Sequence, residues 1–320
     1  MAETVTIRPG ALNRLMRRKA RFANRLTPYL FMAPAAIIML IALMYPLGYM
    51  IWGSFRDWAP SQTIGEAEFV GLQNYIKLWG DPNFWESMRV TLTFAFCVVA
   101  FELVLGVGLA LLLDRNIRGM SVLRTLFILP MMIAPVVVGL VWRYMYHPTV
   151  GTFNKSLDAI GMSGIDWLGQ HALTSVIIAD IWQWTPFIFI LSLAALQSLP
   201  KSALEAARID GATPWQQIIH IKLPLMMPVL IVTGLLRLID AFKVLEVILV
   251  MTEGGPGLST EILALRISRT ATEFRELGEA AAMSNYLLIL LMILTVAMFG
   301  FTRWQEARSN RVRMAAEEAS

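Results

Sequence analysis

Cysteine is almost absent from this chain. The one residue, Cys97, lies inside an apolar block, so no intrachain disulfide can form and cysteine usage says nothing about redox compartment. Charge is scarce too: 16% of residues are Asp, Glu, Lys or Arg, against ~25% in an average soluble domain, which argues against a soluble single-core enzyme. The histidines His147, His171 and His220 are scattered, with neither an H-E-x-x-H pair nor cysteine ligands beside them, so no metal site can be assigned. There is no G-x-x-x-x-G-K-[ST] and no Gly-Lys pair, hence no phosphate-cradling loop. A net charge of +4 and a pI near 9.3 invite a nucleic-acid reading. The basic residues sit between apolar blocks, however, and form no single stripe with interleaved aromatics, so no nucleic-acid partner is expected.

What the chain has in plenty is apolar sequence, 57% of residues with a mean hydropathy of +0.59, gathered in long blocks. Each block approaches the ~20 residues that cross ~30 Å of hydrocarbon. Six candidate spans follow, 29–52, 90–113, 122–146, 173–197, 225–251 and 280–302, and predict an all-α polytopic membrane protein with six transmembrane helices. The polar and aromatic stretch 53–89 carries turn signals at Ala59-Pro60 and Asp81-Pro82 and reads as a loop with short interfacial helices. No repeat of solenoid length and no low-complexity tract is visible.

Arg8, Arg14, Arg17, Arg18, Lys19, Arg21 and Arg25 precede the first span, whereas only Arg56, Lys77 and Arg89 follow it before the second. The positive-inside rule then puts the N-terminus in the cytoplasm. Six crossings return the C-terminus there, in accord with Arg115, Arg118, Arg303, Arg308, Arg311 and Arg313; Arg266, Arg269 and Arg275 after the fifth span argue the other way. The first apolar run is too long for a signal h-region and lacks an A-x-A site, so it is expected to stay attached. The expected organisation is a basic cytoplasmic segment, 1–28, a six-helix membrane domain, 29–302, and a cytoplasmic tail, 303–320. Leu12, Leu15, Phe22 and Leu26 among the N-terminal arginines suit a helix on an anionic lipid leaflet, and a disordered basic tail suits them equally.

The most informative loop is 199–224, LPKSALEAARIDGATPWQQIIHIKLP. Ser202 with Glu205 has capping-box spacing, and Gly211 offers the left-handed position that ends a helix. Thr213 is a second N-cap, Pro214 fills the first helical position, and Gln216 completes another capping box. The loop therefore reads as a helix, a glycine corner and a second helix. Leu204, Ala207 and Ile209 give the first helix apolar surface, but it is too short to be stable without a partner.

Glu205-Ala206-Ala207, then Gly211, Ile221 and Leu223-Pro224 in fixed register resemble the EAA signature of permease subunits in binding-protein-dependent ABC importers. Thr252-Glu253-Gly254-Gly255-Pro256, followed by Gly278, Ala280, Ala281, Ala282 and Ser284, resembles the carbohydrate-uptake branch, of the maltose and glycerol-phosphate type. The resemblance runs from the first span to the last. It implies a type I importer permease fold in the bacterial cytoplasmic membrane and a transport subunit with no catalytic residues of its own. Its implied partners are a second permease, two cytoplasmic ATPase subunits that bind ATP and magnesium, and an extracytoplasmic solute-binding protein. No cofactor is implied for this chain. The corner would be the coupling helix, with Ser202, Glu205, Ala206, Ala207, Asp210, Gly211, Thr213 and Pro214 docking on an ATPase.

Ionisable side chains at the bilayer centre cost about 2.5–3.5 kcal/mol on insertion scales and face partners or water. Glu102, Asp180, Arg237, Asp240, Lys243 and Glu246 are the candidates. At ~100° per residue, Arg237, Asp240, Ala241 and Val244 share one face of the fifth span, and Lys243 and Glu246 another. Asp180, Gln183, Trp184 and Phe187 share a face of the fourth. Both faces resemble solute-lining positions of maltose-type permeases. Mutual neutralisation of Arg237 and Asp240, with Trp182 and Trp184 as packing aromatics, fits the same spacing, and Glu102 has no evident partner. An anionic solute such as a sugar acid, sulfonated sugar or glycerol phosphate would pair with Arg237. A neutral sugar would hydrogen-bond to Asp180, Gln183 and Asp240 and stack on Trp184. A secondary carrier with Asp180 or Asp240 as an ion site is the alternative outside this family, and it would show an inverted repeat, which is not apparent.

Overall fold

A computed structural model describes the backbone of residues 9–114 and 119–318 and the side chains of residues 29–114 and 119–300. The expectations placed on Leu12, Leu15, Phe22 and Leu26, on the N-terminal arginines, on Arg115 and Arg118, and on Arg303, Arg308, Arg311 and Arg313 concern side chains outside those residues.

Proline opens the second apolar block and breaks the third. Helix α1 (Pro9–Gly53) is followed by a short antiparallel ribbon, β1 (Arg56–Asp57) against β2 (Glu68–Phe69), and by α2 (Gln73–Trp79). Asp81 then caps α3 (Pro82–Leu113): its side chain accepts from the Asn83 N–H at 2.9 Å, and Pro82 occupies the first helical turn, where its missing N–H costs nothing. The span expected over 122–146 is not one helix. Helix α4 (Met120–Ile128) runs into a 3₁₀ turn, Leu129–Met132, the chain extends at Ile133 and Ala134, and α5 (Pro135–Met145) leaves at 95°. The cause is Pro135, which pushes the preceding residue out of the helical region, reinforced by Pro130. Helix α6 (Thr152–Ala159) precedes α7 (Ala172–Gln197), which contains Pro186.

The fifth span is also corrected. Helix α8 (Lys201–Ile209) is followed by α9 (Pro214–Gln217), a π turn at Ile218–Lys222 and α10 (Leu223–Ala241). The last three form one apolar rod, Pro214–Ala241, that begins earlier than expected and stops ten residues short of Met251. The chain breaks at Phe242 to Leu245 and resumes as α11 (Glu246–Met251). Helices α12 (Leu263–Thr272) and α13 (Leu277–Glu318) complete the order. Among the described residues five helices are long and apolar enough to cross a membrane, and the bent pair α4–α5 makes six if counted as one span.

The core lies where α3, α5, α7, α10 and α11 meet, around Phe94, Val98, Trp142, Tyr146, Val176, Ala179, Phe242 and Ile248. Helices α3 and α7 approach closely at Gly106, where a Cβ would stand 2.7 Å from Ile188. On the far side of the bundle from α8, Glu261 binds Arg266 at 3.1 Å and Arg269 at 2.8 Å, and Arg266 also binds Asp81 at 2.5 Å. Two of the three arginines that counted against the expected orientation are thus neutralised in place. Nearly every apolar side chain of α1 over residues 29–52 is exposed within this chain.

Candidate functional site

Two arrangements stand out, an exposed corner and a buried charge cluster, joined by the rod Pro214–Ala241.

At the corner, α8 begins one residue before the expected Ser202 cap. Pro200 is the N-cap residue and makes no side-chain cap bond, so the Ser202–Glu205 capping box does not form; Ser202 lies within the first helical turn. The helix ends as expected. Gly211 has φ +78°, a conformation that costs a residue with a Cβ about 1–2 kcal/mol. The Ala212 N–H reaches back to the Ala207 carbonyl at 2.9 Å and the Gly211 N–H to Arg208 at 3.1 Å, closing the orphan carbonyls of the helix end. Asp210 closes the last turn onto Ala206 at 2.9 Å. The Thr213 box is complete: the Gln216 N–H donates to Thr213 Oγ1 at 3.3 Å and the Thr213 N–H to Gln216 Oε1 at 2.8 Å, with Pro214 at the first position. Buried Gln217 donates to the Ala212 carbonyl at 2.9 Å and locks the turn to the rod. Ala207 is buried, Glu205 and Ala206 are exposed, and Ile209 and Trp215 present 86% and 68% of their surface. Large apolar side chains thus stand exposed on both sides of the Gly211 turn.

In the middle of the bundle Arg237 of α10 is surrounded by carboxylates from three helices. Its Nε donates to Glu102 Oε2 at 2.8 Å and its Nη2 to Glu102 Oε1 at 3.0 Å, a bidentate grip. Nη2 also donates to Asp180 Oδ2, and Nη1 to Asp240 Oδ2 at 3.3 Å. The guanidinium carbon lies 5.2 Å from the centre of the Trp184 ring. Glu102, Asp180 and Arg237 are 0–1% exposed, whereas the Asp240 side chain is 47% exposed. Asp180 Oδ1 has no hydrogen-bond partner among the described residues.

The structure therefore brings together Asp180, Trp184, Arg237 and Asp240 from the expected faces and adds Glu102, whose partner the sequence did not reveal. Phe187 meets the Trp184 ring edge-on at 6.5 Å. Gln183 turns elsewhere: its Nε2 donates to the Ile133 carbonyl at 3.1 Å, satisfying a backbone group freed where the third span breaks. The face shared by Arg237, Asp240, Ala241 and Val244 is corrected, since α10 ends at Ala241. Ala241 is buried in the apolar core, and Val244 lies in the break, packed on that core. Lys243 and Glu246 no longer share a helix face: Lys243 lies in the break and Glu246 opens α11, and both are exposed. A signal for Glu102 was present in the sequence: a carboxylate inside an apolar run requires a cation, and Arg237 was an intramembrane guanidinium with only one partner assigned.

Residues 102–313 match the family of binding-protein-dependent transport system inner membrane components. The chain is 34% identical over 290 residues to the trehalose/maltose transport system permease protein MalF of Thermococcus litoralis, covering 90% of this chain and 97% of that protein. It is 33% identical to the sn-glycerol-3-phosphate transport system permease protein UgpA of Pectobacterium atrosepticum, covering 88% and 95%. Its fold matches a chain in the crystal structure of a bacterial alginate ABC transporter in complex with alginate pentasaccharide-bound periplasmic protein, with a TM-score of 0.77 and 22% identity, covering 88% of this chain and 96% of the other.

Proposed function

Since the chain belongs to the family of inner membrane components of binding-protein-dependent transport systems, as a sugar-type ABC importer permease, we propose that it forms the solute path with a second permease and is driven by separate ATPase subunits that dock on the Gly211 corner. The observation that carries the docking is the exposure of Ile209 and Trp215 on either side of a corner closed by the Gly211 turn and the Thr213 capping box. A short helix with unpartnered apolar anchors suits a helix-in-groove contact. The rod behind it runs without a gap from Pro214 to Ala241, so a tilt imposed at the corner reaches Arg237 and Asp240 over a distance on the order of 35 Å at 1.5 Å per residue. The names of the relatives cover both a neutral disaccharide and a phosphate ester, which supports a sugar or sugar-like solute delivered by a solute-binding protein. The proposed orientation has the Gly211 corner in the cytoplasm and the exposed Ser61 and Ser163 outside.

Single cysteines in a Cys97→Ser background test docking and orientation together. In cells stripped of any outer barrier, a membrane-impermeant thiol reagent is expected to label cysteine at Ser61 and Ser163 but not at Ile209. In the purified complex, cysteine at Ile209 is expected to crosslink to an ATPase subunit. Labelling at Ile209 from outside would reverse the orientation, and a failure to crosslink alongside intact assembly would remove the corner from the interface.

A further inference from the structure

The centre of the bundle holds one guanidinium against three carboxylates, and four of its five N–H groups donate to them. Its Nε and Nη2 face Glu102 and Asp180, its Nη1 faces Asp240, and one of its planes lies over Trp184. A phosphate, sulfonate or carboxylate on a solute could claim Arg237 only by displacing one of these carboxylates: at Nε or Nη2 it strands buried Glu102 or Asp180 without a counter-charge, and at Nη1 it meets the carboxylate of Asp240. What the cluster offers instead is the half-exposed carboxylate of Asp240. A charged group at this depth avoids lipid and faces a wet cavity or a neighbouring subunit. The same guanidinium lies over the half-buried Trp184, an aromatic surface with Phe187 at its edge. A carboxylate acceptor next to an aromatic ring suits hydroxyl donors and the C–H face of a sugar, and it repels a second anion. The break after α10 does not change the sign, because exposed Lys243 is matched there by exposed Glu246.

Resting on the reading of this chain as a carbohydrate permease, we infer that its mid-membrane site admits a neutral polyhydroxylated solute and rejects anionic sugar derivatives, with Asp240 accepting solute hydroxyls and Arg237 held as a positioning residue. Arg237 fixes Asp240 and Trp184 from behind; it does not grip the solute.

The test uses the whole complex, with its own binding protein and ATPase subunits, in proteoliposomes. Thermal shift of the binding protein first defines which neutral saccharides, sugar acids, sulfonated sugars and glycerol phosphate are delivered, and ATP-driven uptake of each is then measured. Uptake of a delivered neutral saccharide is expected to exceed that of any delivered anionic derivative by about tenfold or more. Asp240→Asn is expected to lower neutral uptake by a similar factor while leaving the yield of assembled complex intact, and Lys243→Gln to change neither. An anionic derivative carried as fast as the neutral saccharides would overturn the inference in the wild-type complex, whatever the variants do. So would an anion uptake that Lys243→Gln abolishes. A complex that carries no carbohydrate but does carry an amino acid or peptide would overturn the carbohydrate reading, and this inference with it.

Discussion

Gly211→Val is expected to leave the chain inserted and assembled while solute-stimulated ATP hydrolysis and uptake fall about tenfold or more. Gly211 sits at φ +78°, yet no atom lies within 4 Å of where its Cβ would be. The penalty for valine is therefore conformational and not a clash, about 1–2 kcal/mol, with more for a β-branched side chain. That strain is relieved most easily by rotating α8 away from the rod, because the corner is held by a few bonds, from Ala212 to Ala207 and from Gln217 to Ala212. A rotation of α8 moves Ile209 out of register with any groove it occupies. Since every ~1.4 kcal/mol is tenfold in an equilibrium, a modest misplacement is enough to uncouple the two subunits. The series Gly211→Asn, Gly211→Ala, Gly211→Val separates this account from one based on size. Asparagine tolerates the left-handed region and should retain most activity, alanine less, and valine least. Equal loss in all three, or wild-type activity in the valine complex, would contradict the account.

The second large effect is an asymmetry at the buried cluster. Arg237→Met removes the cation and strands Glu102 and Asp180 where neither reaches solvent. Breaking a buried ion pair from one side costs about 3–5 kcal/mol, a large part of the 5–15 kcal/mol that holds a typical domain together. Little assembled complex is expected, and adding Asp240→Leu does not rescue it, because the two buried carboxylates remain. Glu102→Gln removes one of three carboxylates and leaves Arg237 still bonded to Asp180 and Asp240. Its cost should be about 1–3 kcal/mol, that of an altered hydrogen bond. The neutral triple variant Glu102→Gln, Asp180→Asn, Arg237→Met should recover assembly lost in Arg237→Met. Yield of monodisperse complex by size-exclusion chromatography and its Tm are the measurements. An Arg237→Met complex as stable as the wild type would show that the cluster does not tie α3, α7 and α10 together.

These two sites were legible in the sequence to different degrees, for a physical reason. The corner is specified locally: Gly211, Thr213, Pro214 and Gln216 act on backbone groups within a few residues, so spacing alone predicts the φ and the cap. The Ser202–Glu205 box has the same spacing and fails, because Pro200 takes the N-cap position and starts the helix early. The charge cluster is specified by tertiary packing. Glu102 on α3 and Arg237 on α10 are 135 residues apart and meet only where those helices pack, and Gly106 lets α7, with Asp180, close against α3. Helical periodicity placed Asp180 with Trp184 and Arg237 with Asp240, each within one helix, but could not bring the two helices face to face. Total hydropathy likewise found the third and fifth spans and missed their breaks. Pro130 and Pro135 were a visible warning in the third. Nothing of that kind marks the break at Phe242 to Leu245, where packing of α11 on α5 decides the path.

The central claim is that this chain is the passive path of an ATP-driven importer, worked through its Gly211 corner. The most direct measurement is uptake into proteoliposomes containing this chain, its partner permease and the ATPase subunits, with solute-loaded binding protein outside and ATP inside. The account predicts uptake that requires ATP and the loaded binding protein, persists when ion gradients are collapsed, and disappears when the wild-type chain is replaced by the Gly211→Val chain. Uptake by this chain driven by an ion gradient without ATP, unaffected by Gly211→Val, would contradict it.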